Sequence, residues 1–217
     1  LTELLRKMTE AELYSVYKGV YLPTHLHPAE SLKYCEEFTF RPDDILIVTY
    51  PKSGTTWMQE VVPLIVSEGD LTPVLTVPNW DRVPWLEEHR AILLNLEQRP
   101  SPRVFPHTAC ALFNEMHSDY CVLHSVLQVL YVMRNPKDVF TSSYHYYGMA
   151  SYLVKPGTQD EFMEKFLDGN GMDFSSISKL QHDVFYPQSC SVPGLIMSKA
   201  GLMLKKRIPY FIFSTRR

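Results

Sequence analysis

The segment DDILIVTYPKSGTTWMQE, residues 43–60, constrains this chain more than any other stretch. Ile45, Leu46, Ile47 and Val48 form a short, continuous, branched apolar run. Bounded by Asp43 and Asp44 on one side and Pro51 on the other, it predicts a buried strand over residues 43–50. The strand leads directly into Lys52, Ser53, Gly54, Thr55 and Thr56. A helical pattern then follows over 55–69, with Pro63 as an expected kink and Gly69 as an expected C-cap. A helix that starts this way leaves unpaired N–H groups and about half a positive charge at its first turn, a ready site for an anion. Lys52 adds a full charge, Gly54 lets the backbone approach closely, and the hydroxyls add donors.

The same order of strand, loop and helix recurs. VLQVLYVM (126–133) predicts a second buried strand, and NPKDVFTSSYHYYG (135–148) a helix. Asn135 serves as its N-cap, Pro136 as its first residue, Asp138 lies in its first turn, and Gly148 closes it. Two such units predict an α/β domain with a parallel, P-loop-like sheet flanked by helices. Ligands of such sheets bind beyond the carboxyl ends of the strands. The Lys52 loop and Arg134 both fall there, facing one crevice. Elsewhere the pattern predicts an amphipathic helix over 1–18 (Leu4, Leu5, Met8, Leu13), loop and turn over 21–42, and mostly loop over 70–103. A short helix is expected around WLEEHRAILLNL and another over 158–169.

The chain of 217 residues suits one domain with a real core, and 45% apolar content with a net charge of −3 describes a globular protein. No stretch approaches the roughly 18 consecutive apolar residues of a membrane span. The N-terminal segment has no signal-peptide core, and the missing initiator methionine hints at a partial or trimmed chain. Cys35, Cys110, Cys121 and Cys190 lack a tight pairing pattern, so reduced thiols and a cytoplasmic setting are expected. Charge is unevenly spread: residues 184–217 hold six Lys or Arg and no acid, leaving −9 on the first 183 residues. That end reads either as a solvated basic tail or as a segment foreign to the parent fold. Its apolar interruptions, GLIM and YFIF, argue against a nucleic-acid or membrane face.

The common nucleotide loop is GxxxxGK[ST], with its lysine after the last glycine. Here the lysine precedes the glycine, and no Gly-Lys pair occurs in the chain, which argues against an ordinary ATPase or kinase. No magnesium-binding pair is evident, so the anion must be one that reacts without a metal.

TYPKSGTTW resembles the signature of the cytosolic sulfotransferases, and YVMRNPKDVFTSSYHYYGMA resembles their second cofactor motif, including the spacing from Arg134 to Ser142. NWDRVPWLE and PGTQDEFMEKFLDG also look like family segments, the latter closest in style to the hydroxysteroid branch. The resemblance covers roughly residues 40–105 and 129–169. It implies the sulfotransferase fold and the donor 3′-phosphoadenosine 5′-phosphosulfate. Lys52, Ser53, Gly54, Thr55 and Thr56 would cradle the 5′-phosphosulfate, Trp57 would contact the adenine, and Arg134 and Ser142 would bind the 3′-phosphate. Lys52 would also be catalytic, neutralising the leaving phosphate. The acceptor implied is a small apolar molecule with a hydroxyl, such as a steroid, phenol or other alcohol, in steroid or xenobiotic sulfonation. No metal, nucleic acid or membrane partner is expected.

The pattern breaks in two places. The family's general base is a histidine shortly after a Pro-Arg pair. In SPRVFPHTACALF the nearest is His107, one residue early; by strict counting the position belongs to Thr108. A slip of one residue turns a strand side chain to the other face. The stretch 108–128 also carries His117, Cys121 and His124, whose spacing invites a zinc reading but lacks a matching second pair. After Gly169 the expected helix, strands and glycine-rich 3′-phosphate loop are absent. Residues 1–169 therefore read as the sulfotransferase domain, and 170–217 as a divergent or truncated basic end that does not carry the family's dimer interface. Missing strands would leave an exposed sheet edge. The alternative is a catalytically inactive, sulfotransferase-like nucleotide-binding protein.

Overall fold

The computed structural model describes residues 10–17, 20–108, 128–168 and 210–215. Its centre is a four-stranded parallel sheet. Strand β3 (Ile45–Thr49) is the predicted first strand and β5 (Gln128–Arg134) the predicted second. β4 (Val104–Thr108) and β6 (Tyr210–Thr215) flank them, in the order β4-β3-β5-β6. Thr49 lies level with Thr108 on one side and Val132 on the other, so three strands finish near one another.

Alternation along β3 explains the layering. Leu46 and Val48 face a cluster with Leu32, Cys35, Phe38, Leu86, Phe105 and Val129. That cluster is roofed by α2 (Ala29–Glu37). Ile47 faces the opposite side with Met58, Val62, Val83 and Val132. Met58 and Val62 come from α3 (Thr55–Val66), which contains Pro63 and is followed by Glu68 and Gly69 at positive φ. A third cluster joins Leu13, Tyr14 and Tyr50 to α7 (Pro136–Met149) and α8 (Gln159–Asp168) through Val139, Tyr147, Phe162 and Phe166. α7 starts on the predicted chemistry, and α8 on a local capping motif of its own. Asn135 accepts a hydrogen bond from the Lys137 amide at 3.0 Å. Thr158 and Glu161 form a reciprocal capping box, with 2.8 Å from the Thr158 amide to Glu161 and 3.3 Å from the Glu161 amide to Thr158.

Several expectations change. The helix foreseen over 1–18 is helical among the described residues only at α1 (Glu10–Leu13). Tyr14–Tyr17 is instead strand β1, paired antiparallel with β2 (Val20–Pro23). Tyr, Val and Tyr suit a pleated surface, and pairing with β2 overrides the helical spacing. The region 21–42, expected as loop, contains α2, whose Leu32 and Cys35 form a buried stripe. Between 70 and 103 lie four short helical pieces: α4 (Thr72–Thr76), α5 (Asn79–Arg82), α6 (His89–Leu93) and a 3-10 turn at Leu96–Gln98. β6 comes from the acid-free end and pairs with β5 from Val129 to Arg134, so that edge is covered. The zinc reading of His117, Cys121 and His124 lies outside the described residues. Among the described residues no helix is long and apolar enough to cross a membrane.

β3 and β4 are pinned at their starts by a buried ion pair. Arg103 donates through Nε to Asp44 Oδ1 at 2.8 Å and through a terminal nitrogen to Asp44 Oδ2 at 2.5 Å. Further donors reach the carbonyls of Leu96 and Thr39, and the guanidinium lies 4.9 Å from the Phe38 ring centre. Removing one partner strands the other charge in the core, which costs about 3–5 kcal/mol. Arg103→Ala is therefore expected to lose most of the protein's folding stability in urea denaturation.

Candidate active site

The loop between β3 and α3 is held on both flanks. Tyr50 is buried among the α7 and α8 aromatics, and its carbonyl accepts from the Ser53 amide at 3.0 Å. Thr49 and Thr55 join the end of the strand to the start of the helix through a short hydroxyl–hydroxyl contact. From β5, Arg134 donates through Nη1 to the Lys52 carbonyl at 2.9 Å. The two motifs predicted to share a crevice are thus physically joined across neighbouring strand ends.

Within that frame the backbone takes two unusual turns. Lys52 has φ 66° and Gly54 φ 119°, both in the left-handed region. Gly54 is the N-cap of α3, and no side chain caps that end. The first amide groups of α3 therefore have neither an intrahelical acceptor nor a side-chain cap, and they present the positive end of the helix to the crevice. Ser53 is buried, whereas Thr56 and Trp57 are exposed on the first turn.

The cations are set into this geometry. Lys52 is half-buried, and its Nζ lies 3.8 Å from the centre of the Tyr146 ring on α7. Burial first, and the Arg134 charge second, hold its pKa below the ordinary lysine value. Ser142 is half-buried on α7, one turn before Tyr146. Sequence reasoning passed over Tyr146. Its signal was available, because positions 142 and 146 are four apart and share a helix face.

His107 is placed differently. It pairs with Val48 in β4, its side chain is fully buried on the same strand face as Phe105, and its Nε2 lies 3.7 Å from Cys35 Sγ of α2. Thr108, the strictly counted position, is level with Thr49 at the strand end. Nearby, His27 is also buried and contacts the Pro23 carbonyl through Nδ1 at 3.1 Å; burial lowers its pKa. Burial likewise pushes the Cys35 thiol up, so it is an inert neutral neighbour at ordinary pH. Among the described residues no group of three or more His, Cys, Asp or Glu could hold a metal ion.

An anion suits this arrangement. Two cations are held near one another, against an uncapped helix start, and each raises the electrostatic cost of the other. A β-carbon added at Gly54 would lie 4.0 Å from Val132 Cγ1, so space is not the constraint. The positive φ alone makes Gly54→Ala cost about 1–2 kcal/mol. That destabilisation is expected in thermal or urea denaturation without any anion present.

The Sulfotransferase domain family profile matches residues 42–184. Mouse sulfotransferase 2B1 is 42% identical over 158 residues, covering 72% of this chain and 45% of that protein. Bovine sulfotransferase 1A1 is 41% identical over 157 residues, covering 70% and 51%. The chain thus spans about half the length of the curated relatives it matches. A crystal structure of mouse sulfotransferase SULT7A1 complexed with PAP superposes with a TM-score of 0.57 at 27% identity, covering 79% of this chain and 59% of that one. With its parallel sheet, its strand-end lysine loop and this match across most of its described core, the chain belongs to the sulfotransferase domain family.

Proposed function

We propose that the crevice between the β3–α3 loop and α7 binds 3′-phosphoadenosine 5′-phosphosulfate and directs its sulfuryl group to the hydroxyl of a small apolar acceptor, a steroid, phenol or other alcohol. The observation that carries the reading is the union of Lys52 and Arg134 at the uncapped start of α3. Like charges held this way are costly in the free protein, and a polyanion relieves the cost. The donor supplies an activated sulfuryl group, so the protein's task is to position it and to stabilise charge.

The amides at the start of α3, with Ser53, Thr55 and Thr56, bind the 5′-phosphosulfate. Lys52 neutralises the charge that builds on the leaving phosphate. Arg134 and Ser142 hold the 3′-phosphate, and exposed Trp57 offers its face to the adenine. Tyr146 and Tyr152, whose hydroxyls are joined, furnish an apolar wall beside Lys52 that suits an apolar acceptor. His107 is the proton acceptor in this reading, a role worth about 10²–10⁴ in rate. It requires the ring to leave its contact with Cys35 for the acceptor hydroxyl.

Calorimetric titration with 3′,5′-adenosine bisphosphate tests the donor site. Binding is expected, and Lys52→Ala should weaken it about 10- to 150-fold, the loss of one charge-assisted hydrogen bond. A folded protein that does not bind overturns the reading. Binding without turnover of any hydroxyl acceptor would leave a nucleotide-binding protein. Lys52 must be protonated to meet the anion, and its pKa is depressed. Affinity should therefore fall as pH rises through a midpoint below the ordinary lysine value. Lys52→Arg should abolish that alkaline fall. His107→Ala should lower turnover about 10²- to 10⁴-fold, and an unchanged rate removes His107 from the reaction.

A further inference from the structure

Lys52 has a long side chain, and its ammonium lies over the face of an aromatic ring. Nζ lies 3.8 Å from the Tyr146 centroid, well inside the range of about 6 Å over which a ring quadrupole attracts a cation. The ring is itself held. The Tyr146 and Tyr152 hydroxyls share a short hydrogen bond, and the Tyr152 ring lies 5.2 Å from that of His25, in the turn after β2. Tyr146 is half-buried on α7, and the neighbouring Tyr147 is anchored in the core against Phe162 with ring centres 5.1 Å apart. The charge that acts on Lys52 from β5 is that of Arg134, which repels it.

We propose that Tyr146 is a positioning residue for Lys52: its ring face, braced by Tyr152 and His25, seats the ammonium in the crevice against the repulsion of Arg134. The seat itself stands on geometry alone, and its catalytic value rests on the function proposed above. Without it, burial and the Arg134 charge would drive the side chain outward, and ordering it would fall to the bound donor. The ring acts through Lys52 and not on the reacting atoms, so the phenol oxygen is dispensable for the attraction and the π face is not.

The test reads Lys52 directly, without nucleotide, in full-length protein carrying lysine labelled with carbon-13 at the ε position, with Lys52→Ala identifying the signal. The Lys52 ε-protons are expected upfield of the other lysines, from the ring current. Tyr146→Leu should abolish that shift and lower the Lys52 titration midpoint by about half a pH unit or more. Tyr146→Phe keeps the ring face but loses the Tyr152 hydroxyl contact, and should retain most of both. In turnover, Tyr146→Leu should lower kcat about 3- to 30-fold, and Tyr146→Phe should restore most of it. A Lys52 signal without upfield shift in the unaltered protein overturns the seat even if Tyr146→Leu does not fold. A shift that persists in folded Tyr146→Leu overturns it equally. Failure of bisphosphate binding with the Lys52 signal as expected would instead count against the sulfotransferase reading and leave the seat standing.

Discussion

The placement of His107 and Thr108 depends on the register between β3 and β4, and a buried ion pair anchors that register. Arg103 and Asp44 are almost completely excluded from solvent, and each satisfies the other through two hydrogen bonds. The backbone continues the same lock. The Ile45 amide donates to the Arg103 carbonyl at 2.8 Å, and the Gln128 amide to the Asp44 carbonyl at 3.2 Å. Three strands are thus aligned at one end, and their opposite ends finish together at the crevice. Such a pair contributes little net stability over an apolar substitute, but a misaligned version would bury unpaired charge, so it discriminates strongly against slipped registers. In a parallel sheet covered on both faces, a slip of one residue would exchange the two core layers.

That register decides what His107 and Thr108 can do. With His107 opposite Val48, its side chain enters the layer beneath α2, beside Cys35. Pro106 is tolerated because β4 is an edge strand among the described residues, and its carbonyl still accepts from the Leu86 amide at 3.3 Å. The segment after α5 is tied in this way to β4, while the His89 amide reaches the Leu26 carbonyl at 2.9 Å. Residues distant in sequence are gathered around the end of β4, and the chemistry of His107 is set by that gathering.

At the crevice the molecule carries several unfavourable features at once: a lysine at positive φ, a glycine N-cap without a side chain, and two cations in proximity. Each is a local cost in the free protein, and a bound anion would offset the last of them. Strain of this kind persists where surrounding structure over-determines it. Here the determinants are the Tyr50 ring in the core, the Thr49–Thr55 contact and the Arg134 bond to the Lys52 carbonyl.

Much of this was legible in the residues themselves. Ile45–Val48 and the loop after it announce a buried strand and a tight turn into α3 because local preference and burial agree there. Asn135-Pro136 and Thr158-x-x-Glu161 start helices by contacts within a few residues, so their sequence suffices. α2 went unseen because Pro28 and the surrounding loop residues obscure a short amphipathic stripe. β1 and β6 went unseen because a strand is completed only by its partner. The sequence alone determined the fold class and the family, since these rest on short-range chemistry. Only the tertiary structure decided that Lys52 rests on Tyr146, that Arg134 holds the loop by its backbone, and that His107 turns toward Cys35. Those outcomes depend on strand register and on packing between residues tens of positions apart, which no local pattern encodes.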